Sequence, residues 1–158
     1  MRTTSRHTRG FTLFEVIIVI ALLAIVSTGG LVVGLESYRG ALWRSDQDTL
    51  RAALLHAREQ AMNGVCAAST CTGPSPHGVY VGTNFYTIFE GSTYATRSSG
   101  EDEVLEGEPG VSRSGLAEVV FSPLTATVAV PGEILITNST GKVSTTSINS
   151  EGAILWSD

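Results

Sequence analysis

Positive charge is scarce in this 158-residue chain, and past residue 60 the only basic side chains are Arg97, Arg113 and Lys142. Nucleic-acid binding draws most of its affinity from phosphates neutralised by clustered Lys or Arg, so nucleic acid is a poor partner, as is an anionic membrane surface. Familiar catalytic patterns are missing too. Ser and His occur, but there is no nucleophile elbow, HExxH, P-loop or dinucleotide fingerprint. The expectation is a non-enzymatic chain without catalytic residues, cofactor or metal. No internal repeat is present, and the length fits one domain plus an anchor. Cysteine is limited to Cys66 and Cys71, in a loop with Ser69, Thr70, Thr72 and Pro74. In an oxidising compartment the two can pair, closing a small loop worth about 2 kcal/mol in the chain-entropy model. Zinc is the other reading, but it needs about four ligands, and only His56 and His77 lie nearby in sequence.

What the chain does have is an apolar run from Phe11 to Leu35 that contains one charge, Glu15. An unpaired acid at mid-bilayer costs about 2.5 to 3.5 kcal/mol on insertion scales, so such residues have partners and functions. From Val16 to Leu35 the run is about 20 residues, enough for a hydrocarbon core of roughly 30 Å. Arg2, Arg6 and Arg9 precede it with no acid among them, which keeps the leader cytoplasmic and sends the rest across. A cut after Gly10 would make Phe11 a new amino terminus. Between chains staggered along their axes, that ammonium could meet Glu15 of a neighbour and cancel both charges in a low-dielectric setting. The whole chain carries a formal charge of -5, and removing the three leader arginines leaves -8.

The segment GFTLFEVIIVIALLAIVSTGGLVVGLESYRG resembles the class III signal of the type IV pilin and type II secretion pseudopilin superfamily. The resemblance covers about thirty residues. It implies cleavage between Gly10 and Phe11 by a prepilin peptidase, N-methylation of Phe11, and assembly through Glu15 into a helical filament with other pilin or pseudopilin subunits. It also implies an inner-membrane assembly platform as partner, membrane lipid around the helix before assembly, and a bacterial inner-membrane location followed by an extracytoplasmic filament. Many major pilins carry a proline in this segment where this chain has Gly29, Gly30 and Gly34; glycine lowers helix stability by roughly 1 kcal/mol relative to alanine. An ordinary secretory signal cut near Ser27 to Gly30 is the plain alternative, but its core should hold no acid. A simple membrane anchor explains the length and leaves Glu15 without a partner.

Beyond the run, Leu50, Ala53, Leu54, Ala57 and Ala61 recur at helical spacing, with Arg51, Arg58 and Glu59 on the wet side. No proline interrupts Tyr38 to Asn63, and Asn63-Gly64 supplies a C-terminal stop. The composition then turns to Gly, Ser, Thr, Val and Ile, as in short strands joined by turns. A hairpin is expected over Val79 to Val81 and Phe85 to Phe89, then strands at Glu118 to Phe121, Thr125 to Val130, Glu133 to Thr137, Lys142 to Ile148 and Ala153 to Trp156. The fold class is α+β: a long helix on one antiparallel sheet whose apolar face lies on Leu50, Leu54 and Ala57. The expected organisation is a cleaved leader at 1–10, a membrane and filament-core helix at 11–37, and a globular domain at 38–158.

The helix ending in AREQAMN, with Leu50, Leu54, Ala57, Arg58 and Ala61 in an LxxALxxARxxA-like pattern, is similar to H-type pseudopilins and FimT-like minor pilins. That implies a minor or tip subunit. The acids Glu101, Asp102, Glu103, Glu106 and Glu108 read as a solvated loop, with a weak calcium site as the functional alternative. Asn138-Ser139-Thr140 reads as a turn before it reads as a glycosylation acceptor. Two function classes follow. The first is a structural subunit of a type IV pilus or secretion pseudopilus; the second is a membrane-anchored or secreted binding module that forms no filaments.

Overall fold

The computed structural model describes residues 11–69 and 72–157, and the side chains of 28–36 lie outside that description. The chain divides into two compact units, Met1–Tyr38 and Arg39–Asp158. Helix α1 runs from Leu13 to Met62. Its residues up to Tyr38 belong to the first unit and those from Arg39 to the second.

In the first unit every described side chain from Phe11 to Ser27 is exposed, so over that stretch the helix presents apolar side chains on all sides. Among the described residues no helix is long and apolar enough to cross a membrane. The anchor expected over 11–37 is therefore not established by the described residues.

The second unit is α+β, with two four-stranded antiparallel sheets where one was expected. The strands are β1 (His77–Val81), β2 (Phe85–Glu90), β3 (Glu103–Glu106), β4 (Ser112–Gly115), β5 (Glu118–Phe121), β6 (Gly132–Thr137), β7 (Val143–Ile148) and β8 (Ile154–Ser157). One sheet has the order β3-β2-β1-β5 and the other β4-β6-β7-β8. The helix enters the core through Leu50, Ala53, Leu54, Ala57 and Ala61, all fully buried, against Val79 and Tyr86 of one sheet and Ile134 and Ile136 of the other. A Leu buried this way contributes about 1.5 to 3 kcal/mol.

The helix stops as its sequence suggests. Gly64 takes φ +61°, its N–H donates to the Ala61 carbonyl at 3.0 Å, and the Val65 N–H donates to the Gln60 carbonyl at 3.0 Å. Those two bonds form a Schellman cap, which needs a left-handed residue that glycine provides without a Cβ penalty.

The expected strand at Thr125 to Val130 does not form. Leu124 and Ala126 adopt φ of 63° and 54°, left-handed conformations that break an extended ladder, and only Phe121 and Val128 bridge. Conversely, β3 and β4 went unseen because EVLE and SRSG carry almost no apolar alternation. The acidic segment read as a loop is thus partly a strand.

Candidate functional site

Two places carry functional interest, the start of α1 and a buried charged clasp in the second unit. At the helix start, Thr12 is the N-cap: its hydroxyl accepts the Glu15 N–H at 3.3 Å, and its carbonyl accepts the Val16 N–H at 3.2 Å. Thr12-x-x-Glu15 is the spacing of a capping box, and a carboxylate in the first turn is favoured by the helix dipole. The Glu15 backbone thus takes part in the cap, and its carboxylate sits where the helix dipole favours a negative charge. Phe11 is 82% exposed just ahead of the cap. Gly10 lies outside the described residues, so the structure places only the Phe11 side of the expected cleavage point.

The clasp went unseen in the sequence. Asp46 of α1 is fully buried in the same stripe as Leu50 and Ala53. Its Oδ1 accepts from the Arg113 guanidinium, through Nη2, and from the Glu108 N–H at 2.9 Å, while its Oδ2 accepts the Tyr86 hydroxyl at 2.8 Å. Arg113 of β4 also donates Nε to the Tyr86 oxygen at 2.8 Å and Nη1 to the Thr83 carbonyl. The Asp46 and Arg113 side chains are 0% and 1% exposed. Burial pushes the Tyr86 hydroxyl well above its ordinary pKa, and the Asp46 charge pushes the same way. Burial is the largest single influence on Arg113 and opposes its charge, but the hydrogen bonds and charges of Asp46 and Tyr86 together outweigh it and raise its pKa. Since Tyr86 lies in one sheet and Arg113 in the other, the cluster fastens the helix to both. A signal did exist: an acid inside an apolar helical stripe, the same anomaly as Glu15.

The remaining candidate residues separate. Cys66 is disulfide-bonded, and Cys71 lies outside the described residues. His77, the first residue of β1, is buried at 3% exposure and faces Glu90 across the β1–β2 ladder. Burial lowers its pKa. The Glu90 carboxyl is raised by burial but held low overall by the Ser75 hydroxyl, the Ala68 and Ala67 amides and His77; its Oε2 accepts both alanine N–H groups at 3.0 Å.

His56 is half-exposed and sits 3.3 Å from Glu103. The acids expected in one loop are directed apart: Asp102 holds Arg97 at 2.7 Å, and Glu108 accepts the Ser45 hydroxyl at 2.9 Å. Among the described residues no three His, Cys, Asp or Glu side chains are placed to hold a metal ion. Asn138 turns its Oδ1 back onto the N–H groups of Thr140 and Lys142 at 3.0 and 2.8 Å, as a turn-forming Asn does.

Residues 5–31 match the family model described as the prokaryotic N-terminal methylation motif. The match covers Gly10, Phe11, Thr12 and Glu15 and supports the pilin and pseudopilin superfamily as the source of this amino-terminal segment. No curated protein and no solved structure matched the chain.

Proposed function

We propose that the chain is a non-enzymatic structural subunit, a minor pilin or pseudopilin of a type IV pilus or type II secretion pseudopilus. Prepilin peptidase cuts between Gly10 and Phe11, and the new amino terminus is methylated. The apolar helix lies in the inner membrane until the subunit enters the filament. There Glu15 neutralises a neighbour's amino terminus, while the Arg39–Asp158 unit faces the extracytoplasmic side.

The observation that carries this reading is the coincidence of three features in one short segment. A methylation-motif match spans residues 5–31. A helix capped at Thr12 begins immediately after the expected cut. Its described side chains through Ser27 are exposed and, apart from Glu15, uncharged. Apolar surface on that scale marks a lipid or protein interface. Mass spectrometry of the amino terminus of the native protein tests it. A chain that begins with methylated Phe11 is expected. One that begins near Ser27 to Gly30, or retains Met1, overturns the proposal.

A further inference from the structure

The two sheets end in the edge strands β3, β5, β4 and β8, and the β3 and β8 edges differ in charge. At β3, the Gly107 N–H donates to the Asn84 carbonyl at 2.9 Å, in the register that pairs Leu105 with Tyr86. Hydrogen bonding alternates along an antiparallel pair, so Val104 and Glu106 turn their backbone groups away from β2, toward the free edge. At β8, the Asn149 N–H donates to the Ala153 carbonyl at 3.1 Å, in register with Ser147–Leu155. By the same alternation Ile154 and Trp156 turn theirs outward. Each edge thus offers two residues with unpaired backbone groups.

The flanks of α1 give the edges opposite signs. His56 against Glu103 and Ser45 against Glu108 show that one flank borders β3; this edge carries Glu103 and Glu106, with Glu101 beside them. Arg51 lies over the Trp156 ring at 4.6 Å, so the other flank borders β8. Arg44, Arg51 and Arg58, seven residues apart, share that flank, and Lys142 sits over Trp43 at 4.3 Å. Among the described residues none of these four cations forms an ion pair, whereas Arg97 and Arg113 both do. On the faces turned away from the helix, Val104 and Leu155 are 60% and 64% exposed.

We propose that the β3 edge of one copy docks beside the β8 edge of a second copy, acids against the arginine flank. Strand addition completes both sheets. Glu103 lies on the helix side, where the neighbour's Arg51 and Arg58 project, and Val104 meets Leu155 on the far side. The two surfaces differ, so the contact is head-to-tail and does not close a symmetric dimer. This inference rests on the filament reading and names the contact between globular units in it.

Two tagged full-length copies, one V104C and one L155C, are co-expressed and oxidised, both in membranes and after detergent extraction. A mixed disulfide is expected, with little self-crosslinking of either variant. Charge reversal by Arg51→Glu with Arg58→Glu, or by Glu103→Lys, should lower the crosslink by roughly tenfold. Combining a reversed acid edge with a reversed basic flank should restore it. All these positions are exposed or half-buried, and circular dichroism checks that each variant folds. Crosslinking of L155C to itself, or no mixed crosslink from folded protein, overturns the docking. Processing at Gly10 and the presence of wild-type chain in sheared filaments are scored separately. Wild-type chain in filaments without the mixed crosslink rejects the edge contact alone. An unprocessed chain rejects the filament role, and the crosslink in detergent then decides the edge contact by itself.

Discussion

Asp46 and Arg113, 67 positions apart in sequence, form an ion pair with both side chains closed to solvent. A buried pair gives little net stability over apolar residues of the same volume, but breaking it strands a charge and costs about 3 to 5 kcal/mol. Arg113→Met should therefore destabilise the protein by that amount in denaturant unfolding. Asp46→Asn combined with Arg113→Met should recover roughly 1 to 2 kcal/mol, because the Asn amide oxygen still accepts the Glu108 N–H, its NH2 donates to the Tyr86 oxygen that has lost Arg113 Nε, and the stranded charge is gone. A single-variant loss below about 1 kcal/mol would show that the pair is not what fixes the helix to the sheets.

Gly107 guards the same cluster. A Cβ there would lie 2.3 Å from Arg113 Nη2 and 2.8 Å from its Cζ, and the guanidinium is held by Asp46, Tyr86 and Thr83 and has no free direction in which to retreat. Gly107→Ala should cost about 1 to 3 kcal/mol through overpacking. Gly100→Ala, with nothing within 4 Å of its Cβ, should be nearly neutral. Equal melting temperatures for the two variants would refute this account of Gly107.

Much of the second unit could be read from periodicity. Leu50, Leu54 and Ala57 are core residues because helical spacing puts them on one stripe, and β5 occupies Glu118–Phe121 as its alternation suggests. Asp46 was overlooked because a charged residue in an apolar stripe scores against burial, and its partner lies on β4, whose four residues carry no pattern. The β3 strand was hidden for the same reason: an edge strand open to water can be Glu-rich, and Glu-rich segments resemble loops. The left-handed backbone at Leu124 and Ala126 left no residue-type signal, since neither is Gly, Asn or Asp. At the helix start, the motif around Gly10, Phe11 and Glu15 was the plainest feature of the sequence, because a charge within an apolar run has few physical explanations.

His77 makes stability depend on pH. Its folded-state pKa lies below the usual 6.5, so as pH falls the unfolded chain takes the proton first. The stability contributed by neutral His77 is present above about pH 6.5 and declines below it. Glu90 is depressed below 4.5, so its contribution persists until the pH falls under about 4.5 and is lost as the pH drops through its folded-state value. Thermal melting from about pH 7.5 to 5.5 should therefore show a decline that His77→Gln flattens. An unchanged slope in that variant would assign the decline to another group.

The N-terminal turn allows the two roles of Glu15 to be separated. Its backbone N–H is held by the Thr12 hydroxyl, and a capping box accepts Gln as well as Glu at this position. Glu15→Gln should therefore leave the helix start intact while removing the charge that a neighbour's amino terminus needs. Thr12→Ala does the reverse, removing an N-cap worth about 0.5 to 2 kcal/mol and keeping the carboxylate. Hydrogen exchange at Phe14 to Val16 should accelerate in Thr12→Ala and stay near wild type in Glu15→Gln. Recovery in the sheared filament fraction should show the opposite order, with Thr12→Ala close to wild type and Glu15→Gln depleted. If Thr12→Ala is the depleted variant and Glu15→Gln assembles normally, the acid at position 15 serves only to start the helix, and the charge-neutralisation model of assembly fails.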